Sequence, residues 1–184
     1  MEATSSAAPP VPPSAHVLVE IANSRALSVR PDLLATPAEA VALLRTLALL
    51  PEGGTPTEAD LDEIREFRSV LNRLLAGGED TEVRTTLNTL ARRVALNADF
   101  TSEEATLTAA PGTDRPLARL VIHLFRTVSD NTWPRVRLCA NEECAAAFYD
   151  TTRSRTQRWH SYTDCGNKSN VAAHRARARA AKTG

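Results

Sequence analysis

Residues 138–167 read LCANEECAAAFYDTTRSRTQRWHSYTDCGN. They hold all three cysteines of the chain, Cys139, Cys144 and Cys165, together with His160. Four residues separate Cys139 from Cys144, and four separate His160 from Cys165. Two short hooks, each offering two neighbouring ligands and joined by a longer loop, are what a tetrahedral zinc site requires. Zinc accepts thiolate and imidazole together, so Cys139, Cys144, His160 and Cys165 make an ordinary ligand set for one closed, structural Zn2+. With four protein ligands no position stays open for an activated water, which argues against hydrolytic zinc chemistry. His174 is the rival fourth ligand, but nine residues beyond Cys165 on a helix it would stand roughly 13 Å along the axis. The competing readings are three buried thiols beside a surface histidine, and a disulfide, which would leave one thiol over.

The residues between the hooks read as a hairpin. Ala145–Asp150 is expected as one strand, Gln157–Trp159 as its return, and Thr151–Arg155 as the turn. Phe148 and Trp159 are expected to pack together and shield the metal. So small a module buries little apolar surface, so metal binding should supply much of its folding energy. From Gly166 onward the chain is alanine-rich and basic and predicts a helix with Arg175, Arg177 and Arg179 exposed. Hook, hairpin, hook and helix together suggest a treble-clef-like arrangement. Asn167 reads as a cap for that helix.

The pattern Cys-x4-Cys, then FYDTTRSRTQRWHS, then CGNK before a basic helix, resembles the CGNR zinc-finger family over Arg137 to Arg177. The resemblance implies a bacterial, stress-responsive transcription regulator whose finger follows an α-helical N-terminal domain. Two positions depart from the commonest family pattern. The third ligand, often cysteine, is His160, which changes the charge of the site. The arginine of the name motif is Lys168, which keeps the charge but loses the bidentate fork.

Charge is distributed to match. The chain carries 22 basic and 22 acidic residues, but residues 135–184 hold ten Lys and Arg against four acids, a net charge near +6. Residues 1–134 are therefore near −6. A basic module on an acidic body suggests a polyanion partner, with Arg153, Arg155, Arg158, Lys168, Arg175, Arg177 and Arg179 as candidate DNA contacts. Arginines at spacing two spread around a helix, which suits clamping of phosphates better than a single groove code. The alternatives are a zinc-stabilised protein-interaction or dimerisation module and an RNA-stacking surface built from Phe148, Tyr149 and Trp159. An enzyme is the least supported class: no phosphate-binding loop appears and the metal claims every cysteine. No run of about 18 apolar residues predicts a membrane span. The cytoplasm is expected, where reduced thiols favour zinc.

Upstream, aliphatic residues dominate and aromatics are 4% of the chain, which suits a mainly α protein. Residues 1–15 read as a disordered Pro/Ala/Ser lead, 16–133 as an α-helical domain able to sense a small-molecule effector, and 134–184 as the finger with its basic helix. VLVEIANSRALS (17–28) is too short for periodicity to separate strand from helix. Asn23 and Ser24 are its polar centre, read as a local cap or turn, with a place in the lining of a pocket as the alternative. Thr36-Pro37 should open a helix running through Leu50, buried on more than one side. Thr57 should cap a second helix, with Leu61, Ile64, Leu71 and Leu74 inward and Arg65, Arg68 and Arg73 pairing with Glu66 and the acidic first turns. Asp80 opens a third helix to about Leu96, and residues 98–110 form a short hairpin. Thr113 or Asp114 caps a fourth helix with Leu117, Leu120, Val121, Leu124 and Val128 as its core stripe. His123 beside that stripe reads as a satisfied, partly buried histidine. A homodimer is expected, since one basic finger alone would hold DNA weakly.

Overall fold

In the computed structural model, which describes residues 10–26, 30–77, 81–101 and 105–167, the first helix, α1 (Pro13–Asn23), begins inside the expected lead. Pro12 stands at its cap and Pro13 in its first turn, where the missing N–H costs nothing. The helix reading of residues 17–23 is therefore the right one. Ala15, Val17, Leu18, Ile21 and Ala22 are its buried residues. Residues 1–9 lie outside the described residues.

The next helix, α2 (Pro37–Thr46), starts as expected, with the Thr36 hydroxyl accepting from the Glu39 N–H at 3.3 Å. It stops four residues short of Leu50. Ala48 takes a left-handed φ of 52°, and the chain turns so that Leu47, Leu49 and Leu50 are all buried. Arg119 explains why that turn is tolerated: its Nη1 donates to the carbonyls of Ala48 (2.6 Å) and Leu50 (3.2 Å). A tertiary partner for the freed carbonyls outweighs local helix propensity here.

The longest helix, α3 (Glu58–Leu75), has the expected Thr57 cap, completed as a reciprocal capping box with Asp60. Leu61, Ile64, Phe67, Val70 and Leu71 face the core. Full burial of each such side chain contributes about 1.5–3 kcal/mol. Gly77 follows with φ 85°, a conformation that only glycine adopts without strain. Arg65 pairs with Glu58 and Asp62, both at 2.8 Å, as expected. Arg68 does not take a surface partner. It reaches across to Asp32 with two bonds of 2.7 Å and donates to Ser24 Oγ at 3.1 Å. Glu66 pairs with Arg93 on the other side.

Helix α4 (Thr81–Ala91) ends before Leu96, because Leu96–Asp99 (β1) pairs antiparallel with Thr106–Ala109 (β2). The expected hairpin is thus present and begins two residues early; Asp80 lies outside the described residues. The last long helix, α5 (Pro116–Ser129), has Arg115 at its cap without a side-chain cap bond. Asp114 pairs with Arg119 and Thr113 bonds the carbonyls of Ala95 and Ala110, so neither caps the helix. Leu117, Leu120 and Leu124 are inward as expected, but Val128 is 57% exposed and Ile122 takes a buried place. His123 sits beside Ser14, with Nδ1 3.2 Å from its hydroxyl. Burial, with Arg126 and Arg119 nearby, lowers its pKa.

α1 packs on α3 and α5 to form one core. After a 3-10 turn at Trp133–Arg135, Val136–Leu138 (β3) pairs antiparallel with Ala147–Tyr149 (β4), and β4 lies against α1 while β3 lies against α3. The architecture is mainly helical, followed by a small hairpin and a Cys/His cluster. Among the described residues no helix is long and apolar enough to cross a membrane.

Candidate metal centre

The first hook is the turn of the β3–β4 hairpin. The register pairs Leu138 with Ala147, and the Cys139 N–H continues the ladder to the Ala146 carbonyl at 2.8 Å. This corrects the expected partner: β4 pairs with the strand before the first cysteine, and 157–159 does not form a strand. Residues 157–159 instead run alongside the turn, where the Arg158 carbonyl accepts from the Ala140 N–H at 2.8 Å. Inside the turn, the Asn141 carbonyl accepts from the N–H groups of Cys144 and Ala145, both at 2.9 Å, and its side chain accepts from Glu143 N–H at 3.2 Å. Ala145 closes the turn at a left-handed φ of 46°.

The second hook is a single wide turn over Tyr162–Gly166. Ser161 caps it: its hydroxyl accepts from the Asp164 N–H at 3.2 Å and donates to the Asp164 carboxylate at 2.7 Å. The Ser161 carbonyl then accepts from both Cys165 (3.1 Å) and Gly166 (3.2 Å). Asn167 sits at the far end of that turn in helical conformation, and the helix it was expected to cap lies outside the described residues. The ring beside Trp159 is Tyr162, edge-on at 6.0 Å. Gly166 is required by close approach: an added Cβ would lie 2.8 Å from the Tyr162 ring and 3.3 Å from Trp159.

The two hooks bring one donor atom each from Cys139, Cys144, His160 and Cys165 within 4.8 Å of one another. His160 Nδ1 lies 3.4 Å from the Cys144 sulfur and 3.7 Å from that of Cys165. Ligands of a tetrahedral zinc, at about 2.3 Å for sulfur and 2.0 Å for nitrogen, stand roughly 3.5–3.8 Å apart. The four residues therefore fit one structural zinc, which when bound cross-links the two hooks. Acidities fit as well. Burial pushes the Cys165 thiol up, with the sulfurs of Cys144 and Cys139 adding to it, to about 11. Burial opposes ionisation of Cys139 too, but hydrogen bonds from His160 and the Asn141 backbone outweigh it and bring that thiol down to about 7. Sulfurs this close resist joint ionisation, and a dication in their midst removes that resistance with release of protons.

The loop between the hooks carries Arg153, Arg155 and Arg158, all exposed. Asp150, fully buried, organises it. One carboxylate oxygen accepts from the Thr152 N–H (2.9 Å) and hydroxyl, and the other from the Gln157 N–H (3.0 Å) and Arg137 (3.3 Å). Burial alone would raise the Asp150 pKa, but these donors outweigh it and leave the carboxyl below its usual range. Arg137 also donates to the carbonyl of Arg155, whose φ is 55°, so the loop tip is fixed from below. Arg158 lies over the Trp159 ring at 5.2 Å. Asp150 escaped the sequence reading, although Asp-x-Thr after a strand is the signal of a side-chain turn of this kind. Lys168, Arg175, Arg177 and Arg179, in the stretch expected to be a basic helix, lie outside the described residues.

Two family models match. Residues 15–154 match ABATE, described as "Putative stress-induced transcription regulator", and residues 135–178 match the CGNR zinc finger. The two overlap over residues 135–154, the β3–β4 hairpin and the start of the loop that follows it. No curated protein matches the chain significantly.

Proposed function

The chain belongs to the ABATE family, and from that premise we propose that its zinc finger and the basic segment after it bind duplex DNA as part of transcription regulation. The observation that carries this reading is the loop 150–158. It presents three exposed arginines from a backbone tied down by a buried carboxylate at one end and by the second metal hook at the other. Cations held in this way meet phosphates with little ordering cost on binding. The net charge near +6 of residues 135–184 supplies a field of the right sign.

Fluorescence anisotropy of the zinc-loaded protein with random duplex DNA across a salt series tests it. Affinity should fall linearly in log salt, with a slope of about 0.9 per phosphate neutralised. Arg153→Ala and Arg155→Ala should each reduce the slope by about one. The triple change at Arg175, Arg177 and Arg179 should reduce it further. Absence of binding at low salt, with zinc confirmed by metal analysis, would sink the DNA reading.

A second reading, association with another copy of the chain, is favoured by the outer side of α5. There Phe125 and Val128 are 52% and 57% exposed, beside a recess lined by Leu74, Leu87, Leu124 and Trp133. Sedimentation of wild type against Phe125→Glu/Val128→Glu decides whether that side joins two copies. An effector of the helical body would have its seat in a recess of about 460 Å³ between α3 and the hairpin, lined by Arg25, Asn72, Ala76, Leu138 and Ala145. A compound that raises the melting temperature of wild type but not of the recess-filling Ala76→Phe would identify it.

A further inference from the structure

We propose that Asn23 and Arg25, at the end of α1, are positioning residues of the metal centre, so that a helix some 120 residues away sets the affinity for zinc. In the β3–β4 ladder the Ala147 N–H and C=O point away from β3, because the bonded pair is Cys139 with Ala146. Both outward groups are taken by one side chain. The Asn23 carboxamide donates to the Ala147 carbonyl at 2.9 Å and accepts from the Ala147 N–H at 2.7 Å. It stands where a third strand would pair. Arg25 Nη2 donates to the Ala145 carbonyl at 2.7 Å. Ala145 directly follows Cys144 and holds the left-handed φ of 46° that closes the hook. A non-glycine residue keeps that conformation only when its surroundings fix it, and Arg25 is part of what fixes it.

The clamp is itself rigidly held. Asn72 on α3 donates to the Ala22 carbonyl at 3.2 Å, Arg68 donates to Ser24, and Arg30 donates to the Asn23 carbonyl. Leu33 N–H donates to the Ser24 carbonyl at 2.8 Å. Ala147 lies in the same buried cluster as Leu18, Ile21 and Phe67, with Leu138 packed against it. The ABATE match, over 15–154, also joins α1 to Cys139 and Cys144 and stops short of His160 and Cys165. The first pair of ligands is therefore presented by the helical body before any metal arrives, which lowers the ordering cost of binding.

The test uses the full chain, with zinc affinity measured by chelator competition and ligand geometry by the visible spectrum of the cobalt-substituted protein. Asn23→Ala and Arg25→Ala should each weaken zinc binding by about 10- to 100-fold, the range for partners that orient metal ligands. The cobalt bands should broaden or shift. Arg25→Lys, which keeps one donor, should fall between. Leu61→Ala separates positioning from general stability: it lowers the melting temperature but touches neither hook, and its zinc affinity should equal that of wild type. If Asn23→Ala does not fold, the Arg25 pair carries the comparison. Wild-type zinc affinity in Arg25→Ala, or equal weakening in Leu61→Ala, would overturn the proposal. Neither result depends on whether the finger binds DNA.

Discussion

The two metal hooks look equivalent in the sequence, each with two ligands separated by four residues, yet they are built in opposite ways. Cys139 and Cys144 sit on a hairpin whose strands lie against α1 and α3, and Ala147 of that hairpin is part of the main core. His160 and Cys165 are held by a serine cap, a glycine and two edge-on rings, all within eight residues of one another. The finger is therefore not a bead strung after the helical body. One half of its metal centre is secured by tertiary packing, and the other half is secured by short-range bonds and by the metal itself.

Removal of zinc should separate the halves most sharply. Apparent binding energies of structural zinc reach about 10–16 kcal/mol in finger peptides, so its loss should unfold whatever depends on it. Hydrogen exchange of the chelated protein should show residues 158–166 exchanging freely while 136–149 stay protected. Equal loss of protection in both hooks would erase the comparison. Next in size is Phe67→Ala, which empties a fully buried site in α3 and should cost about 3–5 kcal/mol. Denaturant melts followed at Trp133 and by exchange in β3–β4 should report that same loss, because body and first hook share one core.

Gly166→Ala sharpens the contrast from the other side. Its added methyl meets the Tyr162 ring at 2.8 Å, and overpacking of this kind costs about 1–3 kcal/mol. Zinc affinity should drop while the melting temperature of the zinc-free body stays unchanged. The smallest effect is a pH dependence confined to the body. The Arg68 guanidinium, through its hydrogen bonds, holds the Asp32 carboxyl below its ordinary value against the opposing pull of burial. A lowered folded-state pKa adds stability that is present above the unfolded value near 4 and is lost as pH falls through the folded one. Stability should thus decline by on the order of 1 kcal/mol below pH 4. Asp32→Asn should remove that part of the curve, read by denaturant midpoints between pH 6 and 2.5.

Much of this was legible in the chain because it rests on short-range rules. Ligand spacing located the metal centre. Thr36-Pro37 and Thr57 marked helix starts, since a capping hydroxyl and a proline act on their own first turn. The periodicity of 61, 64, 71 and 74 marked the face of α3. Alternation with Thr and Phe flagged a hairpin over 98–110, two residues late at its start. Each of these signals is complete within a few residues, so no knowledge of the rest of the fold is needed to read it.

The pairings between distant groups follow from the packed fold alone. Nothing near Leu47 announces that Arg119 will donate to the carbonyls left by an early helix end. Nothing near Arg68 announces Asp32 as its partner in place of Glu66. β4 chose the strand before Cys139 over the one after Arg155, because only that strand carries Leu138 onto the core. Asn23, which reads locally as a helix end or turn, is committed to the backbone of Ala147. Local sequence fixes which groups can bond and which faces are apolar; burial of the shared core then decides which distant partner each group meets, because a buried polar group left without one is costly.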